Sequence, residues 1–421
     1  MKEQTIGVLT PLLERKESSF LPPQKGMVYR SLRHPFFRPY VRLIILTLFI
    51  NLGIFLYTPL LKSEIVLQIT LLNFALGILI RQHEVINFLF KLATSAPLTW
   101  PLSIRWALAK VYHFGGIHIG AFLSGTLWFS YYLSMAPDQI KLLGFIHLAI
   151  LVLIMVVSLP QIRMPNHNLF ERVARFGSWI SLLLFWVQGY LLNSIDFIGL
   201  GFITLCLIKP WLHLKKVSVE IVRPSPHVGV SKFNYGTTPF AGSSTELSIN
   251  PLFEWHSFAN IPSPHEPGFR LCISRAGDWT GDYIDNLPEK VWVRGIPTAG
   301  VGNIELLFKK VIWVATGSGI GPCLPHLLDR NVPSRLVWST RTPRKTYGDD
   351  LVNEILDAQP DAIIWDTTSQ GKPDLVKLAF EAYRDFEAEA VIVISNKKLT
   401  FHLNYQLESR GIPSFGAIWD S

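Results

Sequence analysis

Three short stretches of this chain hold residue types that can grip phosphate. In Val314-Ala315-Thr316-Gly317-Ser318-Gly319-Ile320-Gly321-Pro322 an apolar run turns on alternate glycines. Glycine lets a backbone approach a pyrophosphate closely, and a helix starting there offers free N–H groups to an anion. In Ser339-Thr340-Arg341-Thr342-Pro343-Arg344-Lys345-Thr346-Tyr347 a guanidinium can fork onto phosphate and a phenol ring can stack on a base; a solvated basic turn would have the same composition. In Gly277-Asp278-Trp279-Thr280, Asp278 or Thr280 can cap a helix whose first N–H groups would receive phosphate, or simply start a helix.

Positioning these groups requires strands that end in turns, and the C-terminal half supplies them. From Lys215 onward Val217-Ser218-Val219-Glu220-Ile221-Val222 alternates as a strand does, and short runs bounded by proline and glycine continue to about Gly302. That texture predicts a small antiparallel barrel over residues 213–305. Beyond it, apolar runs at Val311 to Thr316, Arg335 to Ser339, Ala362 to Trp365 and Ala390 to Ser395 alternate with helix-compatible stretches at Leu351 to Asp357, Asp374 to Phe386 and Leu399 to Arg410. This predicts a parallel α/β nucleotide domain over residues 306–421.

The N-terminal half is of another kind. Of 421 residues, 49% are hydrophobic and only 17% charged, so much of the chain is unsuited to water. After a basic tail at residues 1–40, read as cytosolic and without a cleavable signal, apolar segments run from Leu43 to Leu61, Ile65 to Ile80, Val111 to Met135, Leu142 to Leu159, Phe176 to Leu192 and Ile195 to Ile208. Between the second and third, Arg81, Lys91, Arg105 and Lys110 mix with Trp100 and Trp106 as in an interfacial segment. The loops expected on the inner face hold Arg163, Arg172 and Arg175, and those outside hold only Lys62 and Lys141. Six spans over residues 41–212 follow, with both termini cytoplasmic, in the inner or plasma membrane. The net charge of +8 gathers where apolar segments meet the cytosol, so the lipid bilayer is the expected partner and nucleic acid is not. Cys206, Cys272 and Cys323 lack any metal-ligand spacing and read as small buried residues; no metal site is expected.

The order Glu254-Trp255-His256-Ser257-Phe258, then Ala276-Gly277-Asp278-Trp279-Thr280, then a strand into Gly-x-Gly-x-Gly-Pro resembles the dehydrogenase half of the NADPH oxidase and ferric reductase family, within the ferredoxin-NADP reductase superfamily. Including the membrane half and the closing Gly411-Ile412-Pro413-Ser414-Phe415-Gly416-Ala417-Ile418-Trp419, the whole chain looks most like the TmpA-type integral membrane proteins, a divergent reductase-like branch. The fold implied is a six-span α-helical membrane domain followed by a ferredoxin-reductase-like β-barrel and an α/β nucleotide-binding domain. The resemblance implies FAD against His256, Ser257 and Phe258, its diphosphate at Gly277 to Thr280 with Ser274 and Arg275 upstream, and a terminal aromatic, Trp419, over the ring; Trp419 also suits a core position. It implies NAD(P)H, with NADPH preferred, at Gly317, Ser318, Gly319, Gly321 and Pro322, and a 2′-phosphate held by Ser339, Arg341, Lys345 and Tyr347.

The chain departs from the family at several points. Ala259 stands where relatives carry a hydroxyl beside the flavin, and Ser257 faces the other side of a strand. Ile394-Ser395-Asn396 replaces a Cys-Gly-Pro segment beside the nicotinamide. The paired haem histidines are not there: His113 and His118 are five apart and, at about 100° per residue, point differently. Leu127 and Trp128 fill the deeper region, and Ala174 and Gln188 stand at the other two positions. Haem is therefore not expected, although one between His118 and His147 stays open beside histidines bonded across helices or lining a quinone pocket. The expected activity is transfer of electrons from cytosolic NAD(P)H through FAD to a quinone or other small-molecule acceptor. A flavin- or nucleotide-sensing protein that has lost turnover is the alternative.

Overall fold

The computed structural model describes residues 21–57, 61–193, 196–262 and 267–417. A short helix α1 (Met27–Arg33) leads to α2 (Pro39–Tyr57), α3 (Ser63–Leu79), α4 (His83–Thr94), α5 (Leu102–Leu108), α6 (Gly115–Met135), α7 (Asp138–Ser158), α8 (Pro160–Arg163), α9 (His167–Leu191) and α10 (Phe197–Leu212). The six long segments expected to span are mainly helical where described, but among the described residues length and composition qualify only two of them to cross a membrane. These are Pro35–Tyr57, which joins a 3-10 turn to α2, and α7; a third counts if α3 and α4, bent by 69°, form one broken span. The other three fall short for separate reasons. Glycine and serine dilute α6, the first turns of α9 carry His167, Glu171, Arg172 and Arg175, and α10 has only 16 residues.

Glycine decides the packing of α6. A Cβ on Gly116 would lie 2.2 Å from the Tyr40 carbonyl oxygen, and one on Gly120 would lie 2.7 Å from Cβ of Thr47, so these two glycines bring α2 and α6 into backbone contact. Polar groups turn inward: Asn73 Nδ2 and Trp128 Nε1 both donate to Asn51 Oδ1 at 2.9 Å. The outer surface is apolar, with Phe49, Leu142, Ile198 and Leu205 all exposed.

The barrel strands are β1 (Lys215–Ser218), β2 (Glu220–Ser225), β3 (Val228–Phe233), β4 (Ser244–Ser248), β5 (His256–Ala259), β6 (Ile261–Pro262), β7 (Phe269–Ser274) and β8 (Lys290–Thr298), with α11 (Asp278–Asn286) before β8. They form two four-stranded antiparallel sheets, ordered β1-β8-β4-β5 and β2-β3-β7-β6. The single strand expected across Val217 to Val222 is broken at Val219, whose N–H bonds to Glu289 O instead, and its halves join different sheets.

The last part alternates β9 (Val311–Thr316), α12 (Ile320–Asp329), β10 (Ser334–Thr340), α13 (Pro343–Tyr347), α14 (Asp349–Ala358), β11 (Ile363–Asp366), α15 (Thr367–Gln370), α16 (Leu375–Asp385), β12 (Ala390–Ile394), α17 (Lys397–Glu408) and β13 (Ser414–Gly416). The sheet is wholly parallel, ordered β11-β10-β9-β12-β13. β9 and β12 are buried on both faces because α12 and α14 cover one side and α16 and α17 the other, which is why they read as continuous apolar runs.

The helical half docks onto both β-containing parts. Asn87 on α4 donates to Pro297 O at 2.9 Å and accepts from Ala299 N at 2.8 Å, clamping the end of β8. Arg105 on α5 forks onto Glu389, at 2.7 and 3.0 Å, and also donates to the carbonyls of Leu307 and Trp100.

Candidate functional site: a dinucleotide cleft

Strand order reverses between β9 and β12, and in a doubly wound sheet the crevice at the carboxyl ends of such strands receives the ligand. The glycine turn stands at the end of β9, and its glycines do different work. Gly317 has φ +49° and a Cβ there would meet nothing within 4 Å, so it leaves an open backbone face. A Cβ on Gly319 would lie 2.1 Å from the Ile394 carbonyl oxygen, so this glycine seats the turn on β12. At Gly321 a Cβ would come 3.2 Å from Cys272 O, so α12 presses on β7 of the barrel. Trp338 Nε1 donates to Gly317 O at 3.0 Å and steadies the turn. Ser318 is exposed at its tip and Pro322 is half-buried in the first turn of α12. Across the switch point Thr316 Oγ1 and Ser395 Oγ lie 2.5 Å apart, joining the ends of β9 and β12.

The neighbouring basic turn follows β10. Ser339 is buried there, in register with Thr316 on β9 and Trp365 on β11. Arg341 and Lys345 are exposed and form no ion pair among the described residues. Arg344, by contrast, binds Asp349 and Asn353 at 2.8 and 2.9 Å. The turn is shaped by Asp366, whose Oδ1 accepts from Thr342 N at 2.9 Å while Thr342 adopts φ +36°.

Tyr347 departs from the role foreseen for it. The short α13 turns its ring inward, 5.0 Å from Trp338 and edge-on to it, and only 4% of the residue is exposed. Burial pushes its phenol up, partly offset by the hydroxyls of Thr340 and Ser274. Tyr347 is thus a core residue where the α/β domain meets the barrel, and no base can stack on its face. Ser274, at the end of β7, belongs to the same junction.

On the barrel an aromatic column replaces the open shelf expected for a flavin. Trp279 stacks on His256 with ring centroids 4.2 Å apart, on Phe258 at 5.9 Å and on Tyr283 at 5.1 Å. Its Nε1 donates to Glu254 Oε1 at 2.8 Å, and Tyr283 Oη lies 2.9 Å from Ser231 Oγ. Burial holds the His256 imidazole down at about 4, so it is neutral near pH 7, and its buried Nε2 has no hydrogen-bond partner among the described residues. Ser257 is exposed on the opposite side of β5.

At α11, Gly277 is open, with nothing within 4 Å of a Cβ, and Asp278 is exposed. Thr280 Oγ1 already accepts from Ala276 N and Gly277 N at 2.9 and 3.1 Å, leaving the N–H groups of the next residues to a ligand. Arg275 is not the free cation expected: its Nη2 binds Asp285 on α11 at 2.5 Å and its Nε donates to Pro226 O. Trp419 lies outside the described residues.

Sequence reasoning overlooked Glu254 and Asp366 as the residues that orient Trp279 and the basic turn. Their partners are 25 and 24 residues away, beyond the reach of any local pattern. In the bundle, His118 Nδ1 bonds to Gly77 O on α3 at 2.8 Å. His147 meets Gln188 on α9 at 3.2 Å, with its ring between Phe129 and Phe185. The two imidazoles thus join different helix pairs.

The nicotinamide dinucleotide fits these residues through the open Gly317 turn and the unpaired Arg341 and Lys345. FAD fits at the open Gly277, whereas at His256 the Nε2 is buried and Trp279 covers one face of the ring. Two four-stranded antiparallel sheets are thus followed by a doubly wound parallel sheet with a glycine turn at its switch point.

Among known proteins, a family profile described as adenylate-forming reductase 03009, C-terminal domain, matches residues 301–421. Two proteins of Coprinopsis cinerea are similar over 95% of this chain: adenylate-forming reductase 06235, 39% identical, and adenylate-forming reductase 03009, 40% identical. The chain spans only 42% of the length of either relative. Among solved structures, a ferredoxin NADP+ reductase from Neisseria gonorrhoeae with bound FAD and NADP is 13% identical, covering 49% of this chain and 98% of its own, with a TM-score of 0.37.

Proposed function

We propose that this chain is an NAD(P)H-dependent flavin reductase unit held in a membrane by its helical half. The observation that carries the reading is the pairing of the open Gly317 turn with Arg341 and Lys345, two unpaired cations at the end of the adjacent strand. Gly317 admits the pyrophosphate, the first N–H groups of α12 face it, and the two cations hold a 2′-phosphate, which favours NADPH over NADH. When bound, nicotinamide and FAD supply hydride donation and onward electron transfer. Gly277 with the following N–H groups receives the flavin diphosphate, beside the neutral His256 ring. The neighbouring Thr316–Ser395 pair holds the ends of β9 and β12 together beside the nicotinamide.

The acceptor is a quinone, another lipid-soluble compound or a cytosolic substrate. The relatives' names join adenylate formation to reduction, so an acyl group activated elsewhere on a longer chain belongs among the acceptors to test. The six helices lie in the inner or plasma membrane with the β-containing parts in the cytosol, a reading supported by the apolar outer shell and inward polar groups of the bundle.

A specific observation favours a second reading. With Trp279 stacked on His256 and no hydroxyl at Ala259, the same fold would bind nucleotide or flavin as a sensor without turnover.

Titration of the detergent-purified chain with NADPH and NADH tests the nucleotide assignment. NADPH is expected to bind more tightly, and Arg341→Ala with Lys345→Ala to cut its affinity about tenfold, or ~1.4 kcal/mol, while sparing NADH. Equal affinity of the unaltered protein for both nucleotides would remove the 2′-phosphate site.

A further inference from the structure

A second anion site lies away from the dinucleotide cleft. The arm that carries α1 and the start of α2 folds across α5 and α17, bordering a half-open cavity of about 530 Å³. Arg33, Arg38, Arg42 and Lys110 line it, with Glu408 as the carboxylate among its lining residues. Among the described residues, none of those assigned to nucleotide or flavin binding lines it.

Two of these cations, Arg33 and Arg42, meet no carboxylate partner among the described residues. Glu408 is taken by Lys110, whose Nζ sits 2.5 Å from Oε1 and also donates to Ser414 O at 3.1 Å. Arg33 is held between Tyr29 and Trp106, its guanidinium 4.7 and 4.9 Å from their ring centroids, and makes no ion pair among the described residues. Arg42 donates through Nε to Phe37 O at 2.8 Å and to Leu32 O, both neutral carbonyls. Guanidinium groups oriented by rings and carbonyls around one half-open cavity repel one another and suit a doubly charged tetrahedral anion.

An apolar margin adjoins them. Leu32 and Tyr405 line both this cavity and a neighbouring hollow bordered by Met27 and Val28. Met27 and Val28 are each 73% exposed and Phe36 is 85% exposed, on the arm where α2 begins its apolar run. A molecule with a charged head and an apolar tail meets both surfaces at once.

We propose that this cavity binds a phosphate monoester, with Arg33 and Arg42 forking onto the phosphate and an attached hydrocarbon chain lying along Met27, Val28 and Phe36. The site stands on the cavity alone and survives loss of the redox reading. The shared chemistry has two sources, a lipid headgroup and a soluble phosphate, and the test separates them.

The detergent-purified full chain is titrated calorimetrically with dioctanoyl phosphatidic acid, dioctanoyl phosphatidylcholine and glycerol 3-phosphate. Phosphatidic acid is expected to bind at least tenfold more tightly than phosphatidylcholine, and Arg33→Gln with Arg42→Gln to abolish that preference. Ser103→Glu places a carboxylate in the cavity from an exposed lining position without removing an arginine, and is expected to do the same should the double variant fold poorly. Glycerol 3-phosphate binding as tightly as phosphatidic acid supports the phosphate site and names a soluble ligand; weaker binding supports it and names a lipid. Equal affinity for the two lipids, or a preference untouched by Ser103→Glu in folded protein, overturns the proposal.

Discussion

His256 is a histidine kept neutral by burial, and that has a pH signature. Its pKa of about 4 in the folded chain lies below the ordinary 6.5. Above pH 6.5 neither state is protonated at this ring and its contribution to stability is complete. As pH falls from 6.5 toward 4 the unfolded chain takes up a proton that the folded chain refuses, so stability drops by at most ~1.4 kcal/mol per pH unit. The thermal midpoint is therefore expected to fall more steeply over this range in the unaltered protein than in His256→Gln, and parallel curves would contradict the assignment. The glycines of the nucleotide turn divide in the same way. Gly319→Ala forces its Cβ onto the Ile394 carbonyl and is expected to lower stability by about 1–3 kcal/mol. Gly317→Ala meets no atom but strains a left-handed residue, costing about 1–2 kcal/mol while filling the face proposed for pyrophosphate. Calorimetric unfolding together with NADPH titration distinguishes them: Gly317→Ala should lose nucleotide affinity at least tenfold with the smaller change in melting.

At the scale of elements, local pattern carries as far as local physics does. The runs at Val311 to Thr316 and Ala390 to Ser395 were legible as strands because both faces are covered and every residue before the closing Thr316 and Ser395 is apolar. The glycine turn was legible because Gly317 takes φ +49° and Gly319 lies against the Ile394 carbonyl, both of which favour glycine. What escaped was orientation: a Tyr after a basic turn can face out to a base or in to Trp338, and the five-residue helix that turns Tyr347 inward is set by tertiary packing. Arg275 likewise reads as a cation from its position, yet Asp285, one helix later, takes its charge. The break at Val219 depends on a bond to Glu289, far along the chain, which no alternation reveals. Docking between elements depends on similar distant pairs. Arg105, 3% exposed, is joined to Glu389 across the junction of α5 and the α/β domain. Arg105→Met leaves Glu389 with only the Lys309 N–H as partner among the described residues and is expected to cost about 1–3 kcal/mol, whereas adding Glu389→Leu restores part of that loss. Thermal unfolding of the two variants measures the difference; a loss of under 0.5 kcal/mol in the single variant would show that the pair does not hold the junction.

For the whole molecule, the helical half presents an apolar exterior, packs through the Gly116 and Gly120 contacts, and clamps the barrel through Asn87. Hydropathy located the helices but did not decide how many of them cross a bilayer, because α6 is rich in packing glycines and α9 begins with charged residues at the barrel contact. Retention of the chain in membrane pellets after alkaline carbonate extraction is the expected outcome, and release into the supernatant would contradict an integral helical half. The central claim joins both halves: electrons enter from NADPH at the Gly317 turn and pass to a flavin beside His256. Its most direct test is the absorbance spectrum of detergent-purified protein loaded with FAD, recorded before and after anaerobic NADPH. The account predicts flavin bands that bleach on NADPH addition and stay unbleached in the Arg341→Ala, Lys345→Ala variant at the same subsaturating NADPH concentration over the same short interval. Bound flavin that NADPH never bleaches would contradict it and leave the sensor reading in its place.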